Sequence, residues 1–319
     1  MEQLQNQGPG VTSLRDRYVG CLLGLAVGDA VGTTVEFRPR GSFEPLTDMV
    51  GGGPFGLKPG QWTDDTSMAL CLAESLLARS GFDARDQMGR YLNWWKWGYL
   101  SSTGTCFDIG GTVLSALERF ESSGEPFSGS LDPETAGNGS LMRLAPVALF
   151  YAPNVDEVVK FSALSSLTTH GAPEAVECCQ LLGFVLARCL AEVARDKVLD
   201  GSSLKVREQK VLELATGRYL NKSRNAVRGS GYAVASFEAA LWCFHTTSTF
   251  EAAVLEAANL GDDADTTAAI VGQVAGAFYG VQGIPATWLE KLHLRAEIMK
   301  MAEGLYEIAQ SRRTEQTPG

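Results

Sequence analysis

Two clusters of aspartate and threonine, about 200 residues apart, are the residues of this sequence best suited to chemistry. The first is Trp62-Thr-Asp-Asp-Thr66 and the second is Gly261-Asp-Asp-Ala-Asp-Thr-Thr267. Carboxylate and hydroxyl oxygens are the ligands that hard divalent cations prefer. The Asp263-Ala264-Asp265 spacing resembles a calcium loop, but the glycine and glutamate that an EF-hand needs later in its loop are missing. The clusters therefore indicate an oxygen-rich cation site of another kind.

Ordinary helix capping is the alternative interpretation of both clusters, because each stands at the start of a predicted helix. Thr63 would accept a backbone N–H as the N-cap of a helix over residues 64–79, and the aspartates would favour the positive end of the helix dipole. The second cluster would serve a helix over residues 264–279 in the same way. Capping is therefore an adequate explanation of either cluster alone.

The two clusters together favour a metal. Both helices are too apolar or too rich in small residues to lie at the surface, so five carboxylates are carried towards the interior. Buried carboxylates need a cation or strong hydrogen bonds, and neither cluster contains a basic residue. A hard divalent cation is the simpler partner, with Thr63 and Thr266 supplying neutral oxygens.

Helical signals dominate the elements that must position these clusters. Residues 14–31 repeat apolar side chains at spacings of three and four, and Asp29 falls near the end of this segment. A loop rich in glycine and proline, residues 51–60, precedes the first cluster. Further helices are predicted over residues 86–97, 111–121, 140–150, 155–167, 173–194, 204–220, 234–243, 250–259 and 288–309.

Convincing alternating strands and fixed-period repeats are absent from the sequence. We therefore expect an all-α fold with a single compact multi-helix domain over residues 13–310. Residues 1–12 are assigned to a disordered or extended N-terminal tail, and residues 311–319 to a C-terminal tail.

Composition narrows the class of partner. The chain has 319 residues, 45% of them hydrophobic, and a formal net charge of -10, which argues against nucleic acid because that ligand calls for a basic face. The polar segment 1–10 lacks the features of a signal peptide, and the most membrane-like window, residues 268–284, contains Gln273 and four glycines. We expect that window to be a buried helix, and we expect neither nucleic acid nor membrane as a partner.

Seven cysteines lie mostly inside apolar runs without CxxC pairs, at Cys21, Cys71, Cys106, Cys178, Cys179, Cys189 and Cys243. This pattern is typical of reduced core residues, so a cytoplasmic protein is expected. No coiled-coil heptad is evident, and we expect a monomer.

An ordered series of motifs resembles the ADP-ribosylglycohydrolase family, which includes bacterial dinitrogenase reductase-activating glycohydrolases and vertebrate ADP-ribosylhydrolases. The series covers about residues 17–285. In chain order its motifs are Gly20-Cys-Leu-Leu-Gly-Leu-Ala-Val-Gly-Asp-Ala-Val-Gly32, Val35-Glu36-Phe37, Trp62-Thr-Asp-Asp-Thr66, Cys106-Phe-Asp-Ile-Gly110, Gly137-Asn-Gly-Ser-Leu-Met-Arg143, His170, Gly231-Tyr232 and Gly261-Asp-Asp-Ala-Asp-Thr-Thr267. The resemblance implies the fold of that family, with a binuclear metal site.

The resemblance also implies a set of site residues. The implied ligands of two Mg²⁺ or Mn²⁺ ions are Thr63, Asp64, Asp65, Asp263, Asp265 and Thr266. Asp262 stands where many relatives have a second glycine and is left out of this set. The implied catalytic residues are Glu36, on a loop that closes over the metals, Asp108, near the scissile bond, and Asp65. The implied substrate-binding residues are Gly137, Asn138, Gly139 and Ser140 for the diphosphate and ribose, His170 for the ribose, and Tyr232, stacked on adenine.

A structural role is the alternative for four of these residues. Asp108 could cap the following helix, and Asn138 could simply occupy a left-handed turn. His170 could cap the end of the predicted helix over residues 155–167. Tyr232 could belong to the core. The sequence leaves these alternatives open.

The expected function is metal-dependent hydrolysis of the glycosidic bond between ADP-ribose and a protein side chain. Arginine is the expected linkage, because the order Cys106-Phe-Asp-Ile-Gly110 with Gly231-Tyr232 is closer to the bacterial arginine-directed branch. The alternatives are a non-catalytic ADP-ribose-binding module, a hydrolase of serine-linked or small-molecule ADP-ribose conjugates, and a phosphatase-like metal hydrolase. The choice of Asp108 or Glu36 as general base is left open.

Overall fold

Fourteen α-helices form the computed structural model, which describes residues 12–315, and no strand is present within that range. The prediction of an all-α fold is confirmed. The helices are α1 Leu14–Gly32, α2 Asp64–Arg79, α3 Ala84–Trp97, α4 Gly111–Ser123, α5 Ala145–Tyr151, α6 Val155–Leu167, α7 Pro173–Leu190, α8 Arg195–Val198, α9 Gln209–Ala215, α10 Ala233–Thr246, α11 Phe250–Ala258, α12 Ala264–Tyr279, α13 Ala286–Lys291 and α14 Arg295–Glu315.

Four predicted helices are shorter or broken, and turn geometry explains the differences. The helix predicted over residues 173–194 ends at Leu190, shortly before Glu192, which has a φ of 58°. The helix predicted over residues 140–150 begins only at Ala145, because residues 138–144 form consecutive turns. The segment predicted as helical over residues 204–220 keeps α9 and then turns at Gly217, which has a φ of 78°. The helix predicted over residues 288–309 divides into α13 and α14 at Leu294, which has a φ of 50°. Positive φ values cannot continue a right-handed helix.

The centre of the fold is the antiparallel pair of α1 and α12, whose backbones approach through small residues. A Cβ atom at Gly28 would lie 2.1 Å from the carbonyl oxygen of Ala268, and one at Gly24 would lie 2.3 Å from that of Gly272. Only glycine permits such an approach. The contact places the end of α1 beside the start of α12, where the second aspartate cluster lies.

One segment, Leu14–Val35, is long and apolar enough to cross a membrane by length and composition. The protein itself buries 94% of its most apolar window, as expected of a central core helix. The window singled out from the sequence, residues 268–284, includes most of α12. Residues Ala264 to Ala277 of this helix are all buried, so the prediction of a buried helix is confirmed.

The seven cysteines are all free. Six are buried as predicted, and Cys106 is half-buried. Helix α14 continues through residues 311–315, which the sequence analysis assigned to a C-terminal tail. Residues 1–11 and 316–319 lie outside the described residues, so the tail boundaries stay predictions.

Candidate metal centre and active site

Three helix ends meet around one cavity of about 340 Å³. The end of α1 supplies Asp29, and the starts of α2 and α12 supply the two aspartate clusters. One carboxylate oxygen from each of Asp29, Asp65 and Asp265 lies within 4.8 Å of the other two. The polar residues lining the cavity include Glu36, Asp64, Asp108, Asn138, His170, Asp263, Asp265 and Thr266. Clusters that are far apart in sequence therefore form one site.

Asp29, which the sequence analysis did not include in the site, binds residues of the first cluster and fixes their positions. Its side chain is fully buried and accepts hydrogen bonds from the backbone N–H groups of Thr63 (2.9 Å) and Thr66 (3.0 Å). It also accepts from the hydroxyls of Thr63 (3.0 Å) and Thr66 (2.6 Å). Asp29 thus caps α2 from another helix. An aspartate among fourteen other buried residues of α1 is the sequence signal that could have identified it.

The capping interpretation is right in placing Asp64, Asp65 and Asp265 in the first turns of their helices but wrong about the N-cap side chains. Thr63 and Asp263 are the N-cap residues of α2 and α12, yet neither side chain makes a capping hydrogen bond. The Thr63 hydroxyl donates to Asp29, and the Thr266 hydroxyl donates to Oδ1 of Asp65 (3.1 Å). These two hydroxyls therefore bond side chains of other helices, whereas Oδ1 of Asp265 accepts from the N–H of Thr266 (2.8 Å) at the start of its own helix.

Burial and mutual repulsion govern the charges of this site. Burial raises the pKa of Asp64, Asp65 and Asp265 well above the usual value, and neighbouring carboxylates raise each further. Burial also raises the pKa of Asp29 to about 6, although the hydrogen bonds from Thr63 and Thr66 oppose the shift. Ionised carboxylates at this spacing repel one another strongly, so the site favours a cation.

Glu36 and Asp108 form the outer part of the same acidic cluster. One carboxylate oxygen from each of these residues and one from Asp265 lie within 4.8 Å of one another. Burial followed by the charge of Asp108 raises the pKa of Glu36 to about 9. Burial followed by the charge of Asp29 raises the pKa of Asp108 to about 8. These two carboxyl groups face the cavity and are placed to exchange a proton with a bound molecule.

The donor set fits a hard metal ion. Oδ2 of Asp65 and Oε2 of Glu36 are buried without a hydrogen-bond partner among the described residues. Over residues 12–315, none of the ion pairs formed by lysine, arginine or histidine involves a carboxylate of this site. Unpartnered carboxylate oxygens in an oxygen-only cluster are the groups that Mg²⁺ and Mn²⁺ bind. The acidic cluster can therefore hold metal.

Three residues on the acidic side of the site have positive φ values. Phe37 and Asp108 have φ values of 60° and 59°, and Asp262 has 58°. The N–H of Phe37 donates to the carbonyl of Asp262 (2.8 Å), and the N–H of Asp262 donates to that of Arg38 (2.9 Å). These bonds hold the Glu36 loop against the second cluster. The left-handed conformation of Asp262 is one that glycine prefers, and Asp262 does not line the cavity.

The opposite side of the cavity is neutral. Asn138 does not have a positive φ, so its left-handed-turn interpretation is wrong. Its amide donates to Oδ2 of Asp263 (2.8 Å), which ties the glycine turn over residues 137–140 to the second cluster. Gly137 and Gly139 line the cavity, but Ser140 does not. The Ser140 hydroxyl instead lies in the core, 2.9 Å from that of Ser166.

His170 and Asp108 do not play the capping roles that the sequence left open. The imidazole of His170 lines the cavity, and its Nδ1 lies 2.8 Å from the Thr169 hydroxyl. Helix α4 has Gly110 as its N-cap and receives no side-chain capping hydrogen bond. Both predicted site residues therefore face the cavity.

Tyr232 lines a neighbouring cavity of about 610 Å³. The two cavities share Thr112, Gly137 and Gly231. The Tyr232 ring is half-buried, its hydroxyl donates to Glu174, and Lys210 donates to that hydroxyl (2.8 Å). Tyr232 is therefore at the edge of the core, beside a cavity that adjoins the one at the predicted metal site.

Comparison with known proteins agrees with this geometry. The profile of the ADP-ribosylglycohydrolase family matches residues 11–315. ADP-ribosylarginine hydrolase Tri1 of Serratia proteamaculans is 44% identical over 92% of this chain and 80% of its own length. Its namesake in Pseudomonas putida is 46% identical over 92% of this chain and 79% of its own length.

A more distant relative and a solved structure extend the comparison. The ADP-ribosyl-[dinitrogen reductase] glycohydrolase of Rhodospirillum rubrum is 32% identical, over 93% of this chain and 98% of its own. A solved structure described as an ADP-ribosylglycohydrolase-related protein complex has a TM-score of 0.82 and 42% identity, and covers 93% of this chain and 99% of that one. The resemblance drawn from the sequence motifs is confirmed: the chain belongs to the ADP-ribosylglycohydrolase family.

Proposed function

We propose that this protein hydrolyses the N-glycosidic bond between ADP-ribose and an arginine side chain, with a pair of Mg²⁺ or Mn²⁺ ions. The observation that carries the proposal is the convergence of Glu36, Asp64, Asp108, Asp263 and Asp265 on one cavity beside a second, nucleotide-sized one. The 44–46% identity to two ADP-ribosylarginine hydrolases supports arginine as the linkage.

Thr63, Asp64, Asp65, Asp263, Asp265 and Thr266 would hold the ions. When bound, the cations would stabilise negative charge and lower the pKa of coordinated water. The buried, unpartnered oxygen Oδ2 of Asp65 and the cavity-facing carboxylates of Asp64 and Asp265 support this assignment. Asp29 would hold the first cluster in position for metal binding, because it accepts hydrogen bonds from both the backbone and the hydroxyls of Thr63 and Thr66.

The reaction adds the oxygen of water to the anomeric carbon of the ribose and breaks the bond from that carbon to the guanidine nitrogen. Glu36 or Asp108 would take the proton from the attacking water, and the departing guanidine would gain a proton. A carboxyl group must be ionised to act as the base. The charge of Asp108 raises the pKa of Glu36, whereas a hydrogen bond from Glu36 lowers the pKa of Asp108, so a proton held by Glu36 favours the ionised form of Asp108.

The ligand would lie across both cavities. The ribose attached to the side chain would sit against the acidic cluster, and the turn over residues 137–140 would face the diphosphate. Tyr232 would stack on adenine in the larger cavity. His170, between them, would contact a ribose oxygen.

We also propose a monomer that acts in the cytoplasm without a nucleic-acid or membrane partner. Seven free cysteines and a net charge of -10 support this setting. Light scattering on purified protein should give the mass of one chain, and a dimer mass would contradict the proposal of a monomer.

The test of the function is release of free ADP-ribose from arginine-linked and serine-linked peptides, with Mg²⁺ or Mn²⁺ and again with a chelator. We expect metal-dependent release from the arginine-linked peptide only. Release from the serine-linked peptide alone would overturn the linkage, and tight binding of ADP-ribose without release from either would favour a binding module. Inorganic phosphate as the product would indicate a phosphatase instead.

A further inference from the structure

Arg143 closes the Gly137–Arg143 motif, and the mechanism above gives it no role. Its guanidinium is fully buried, although arginine is rarely so. Nη1 donates to the carbonyl of Gly139 (3.1 Å), and Nη2 donates to the Thr169 hydroxyl (2.7 Å). All five of its hydrogen-bond acceptors among the described residues are neutral: Met68 Sδ, Gly139 O, Ser165 O, Thr168 Oγ1 and Thr169 Oγ1. The positive charge is therefore not neutralised by a carboxylate in contact with it.

Thr169 connects this guanidinium to His170. An arginine side chain can only donate, so the Thr169 oxygen accepts from Nη2 and keeps its own hydrogen. Within residues 12–315, the one further hydrogen-bond neighbour of this hydroxyl is Nδ1 of His170, at 2.8 Å. The hydroxyl therefore donates to Nδ1, and the ring carries its hydrogen on Nε2. The other tautomer would leave a buried hydroxyl hydrogen without an acceptor.

The Nε2 edge of His170 faces the glycine turn and the cavity. Nε2 lies 3.3 Å from the position that a Cβ atom would take at Gly137, and 3.1 Å from that at Gly139. Glycine at both positions keeps this side of the ring open. No protein acceptor for Nε2 is present among the described residues, so its hydrogen is available to a bound molecule. Burial, followed by the charge of Arg143, lowers the pKa of His170 to about 3, which agrees with a neutral ring.

We propose that Arg143 and Thr169 are positioning residues that hold His170 as a neutral Nε2–H donor to an oxygen atom of the ligand. The identity of that ligand, ADP-ribose, rests on the proposed function. The opposite tautomer would present a nitrogen lone pair, which repels a ligand oxygen that lacks a hydrogen and can only accept from a hydroxyl. This relay, from Arg143 through Thr169 to His170, fixes Nε2–H as the donor before the ligand binds. The ring therefore does not reorganise on binding.

The tautomer can be observed directly by ¹⁵N NMR of protein labelled at histidine. The chain has only three histidines, and a His170→Gln sample assigns the signals of His170. In the wild-type protein we expect the hydrogen on Nε2, with Nδ1 as an acceptor. Thr169→Val, which is close to threonine in shape but lacks the hydroxyl, should produce a mixture of tautomers. Thr169→Ser, which keeps the hydroxyl, should restore the wild-type spectrum.

Affinity for ADP-ribose, measured by calorimetry in the same samples, tests the consequence. Thr169→Val should weaken binding about tenfold, the value of one neutral hydrogen bond, while Thr169→Ser stays near wild type. A wild-type hydrogen on Nδ1 would overturn the proposal without any variant. An unchanged tautomer and affinity in folded Thr169→Val protein would overturn it too. A wild-type protein with the expected tautomers but no affinity for ADP-ribose would instead contradict the proposed function and leave the relay supported.

Discussion

The two sides of the cavity differ in charge and in how far their polar groups are hydrogen-bonded. The acidic side brings together carboxylates whose pKa values are raised by burial and by one another, and two of its oxygens lack partners. The neutral side consists of a glycine turn, Asn138 and His170, held by hydrogen bonds from within the protein. The acidic side is therefore incomplete without a cation, whereas the neutral side is already organised. A site built in this way separates charge stabilisation from ligand orientation.

The largest effect should come from removing one charge at the centre of the acidic side. Asp265 belongs to both groups of clustered carboxylates. We expect Asp265→Asn to lower kcat/KM for the arginine-linked substrate by at least about a thousandfold. The substitution removes a proposed metal ligand, which should cost more activity than removing a residue that only orients a ligand. The metal-free variant should unfold at a higher temperature than metal-free wild type, because asparagine removes a buried carboxyl group that repels its neighbours when ionised and costs free energy to keep protonated.

Asp262→Asn is the matched control for that experiment. It makes the same change of charge within the same sequence cluster, but Asp262 does not line the cavity, and asparagine tolerates its φ of 58°. Activity near wild type is expected. Equal losses in Asp262→Asn and Asp265→Asn would mean that net charge, and not the centre itself, matters.

An intermediate effect should appear in the pH dependence of stabilisation by metal. In metal-free protein the pKa of Asp29 is raised to about 6, that of Asp108 to about 8 and that of Glu36 to about 9. The folded state therefore holds protons that the unfolded chain has released above about pH 4, so stability falls as pH rises from about 4 to about 9. Bound cations favour the ionised forms and oppose this loss.

The increase in Tm produced by saturating Mn²⁺ should accordingly be at least about 3 °C larger at pH 8 than at pH 5.5. Differential scanning calorimetry at the two pH values, with and without chelator, measures it. Asp265→Asn should show little increase at either pH. A Mn²⁺-induced increase that is larger at pH 5.5 would contradict the account of the acidic side.

The smallest effect is expected on the neutral side, at Ser140. Its hydroxyl lies in the core near Ser166 and outside the cavity lining, so Ser140→Ala should change KM by less than about threefold. Asn138→Ala should raise KM about tenfold, because its amide bonds Asp263 and borders the cavity. Steady-state kinetics of the pair would decide whether the Ser140 side chain contacts the ligand. A larger effect at Ser140 than at Asn138 would reverse the assignment.

Local pattern was enough to predict much of this protein. The bounds of α2, α6 and α12 agree with the helices predicted over residues 64–79, 155–167 and 264–279, because their apolar periodicity and their ends are written in adjacent residues. The two aspartate clusters and the ordered motifs indicated an oxygen-rich site and the family. Such features depend on residue type and spacing along the chain, which the sequence states directly.

The tertiary structure decided which side chains meet. The Asp29 carboxylate, and not the Thr63 side chain, accepts the first N–H groups of α2, because the close approach of α1 to α12 brings the end of α1 to the first cluster. Ser140 points into the core although its neighbours in the same turn line the cavity. The contact from Arg143 through Thr169 to His170 joins segments that local pattern cannot relate. Hydrogen bonds between distant segments depend on how helices pack, and packing is a property of the whole chain.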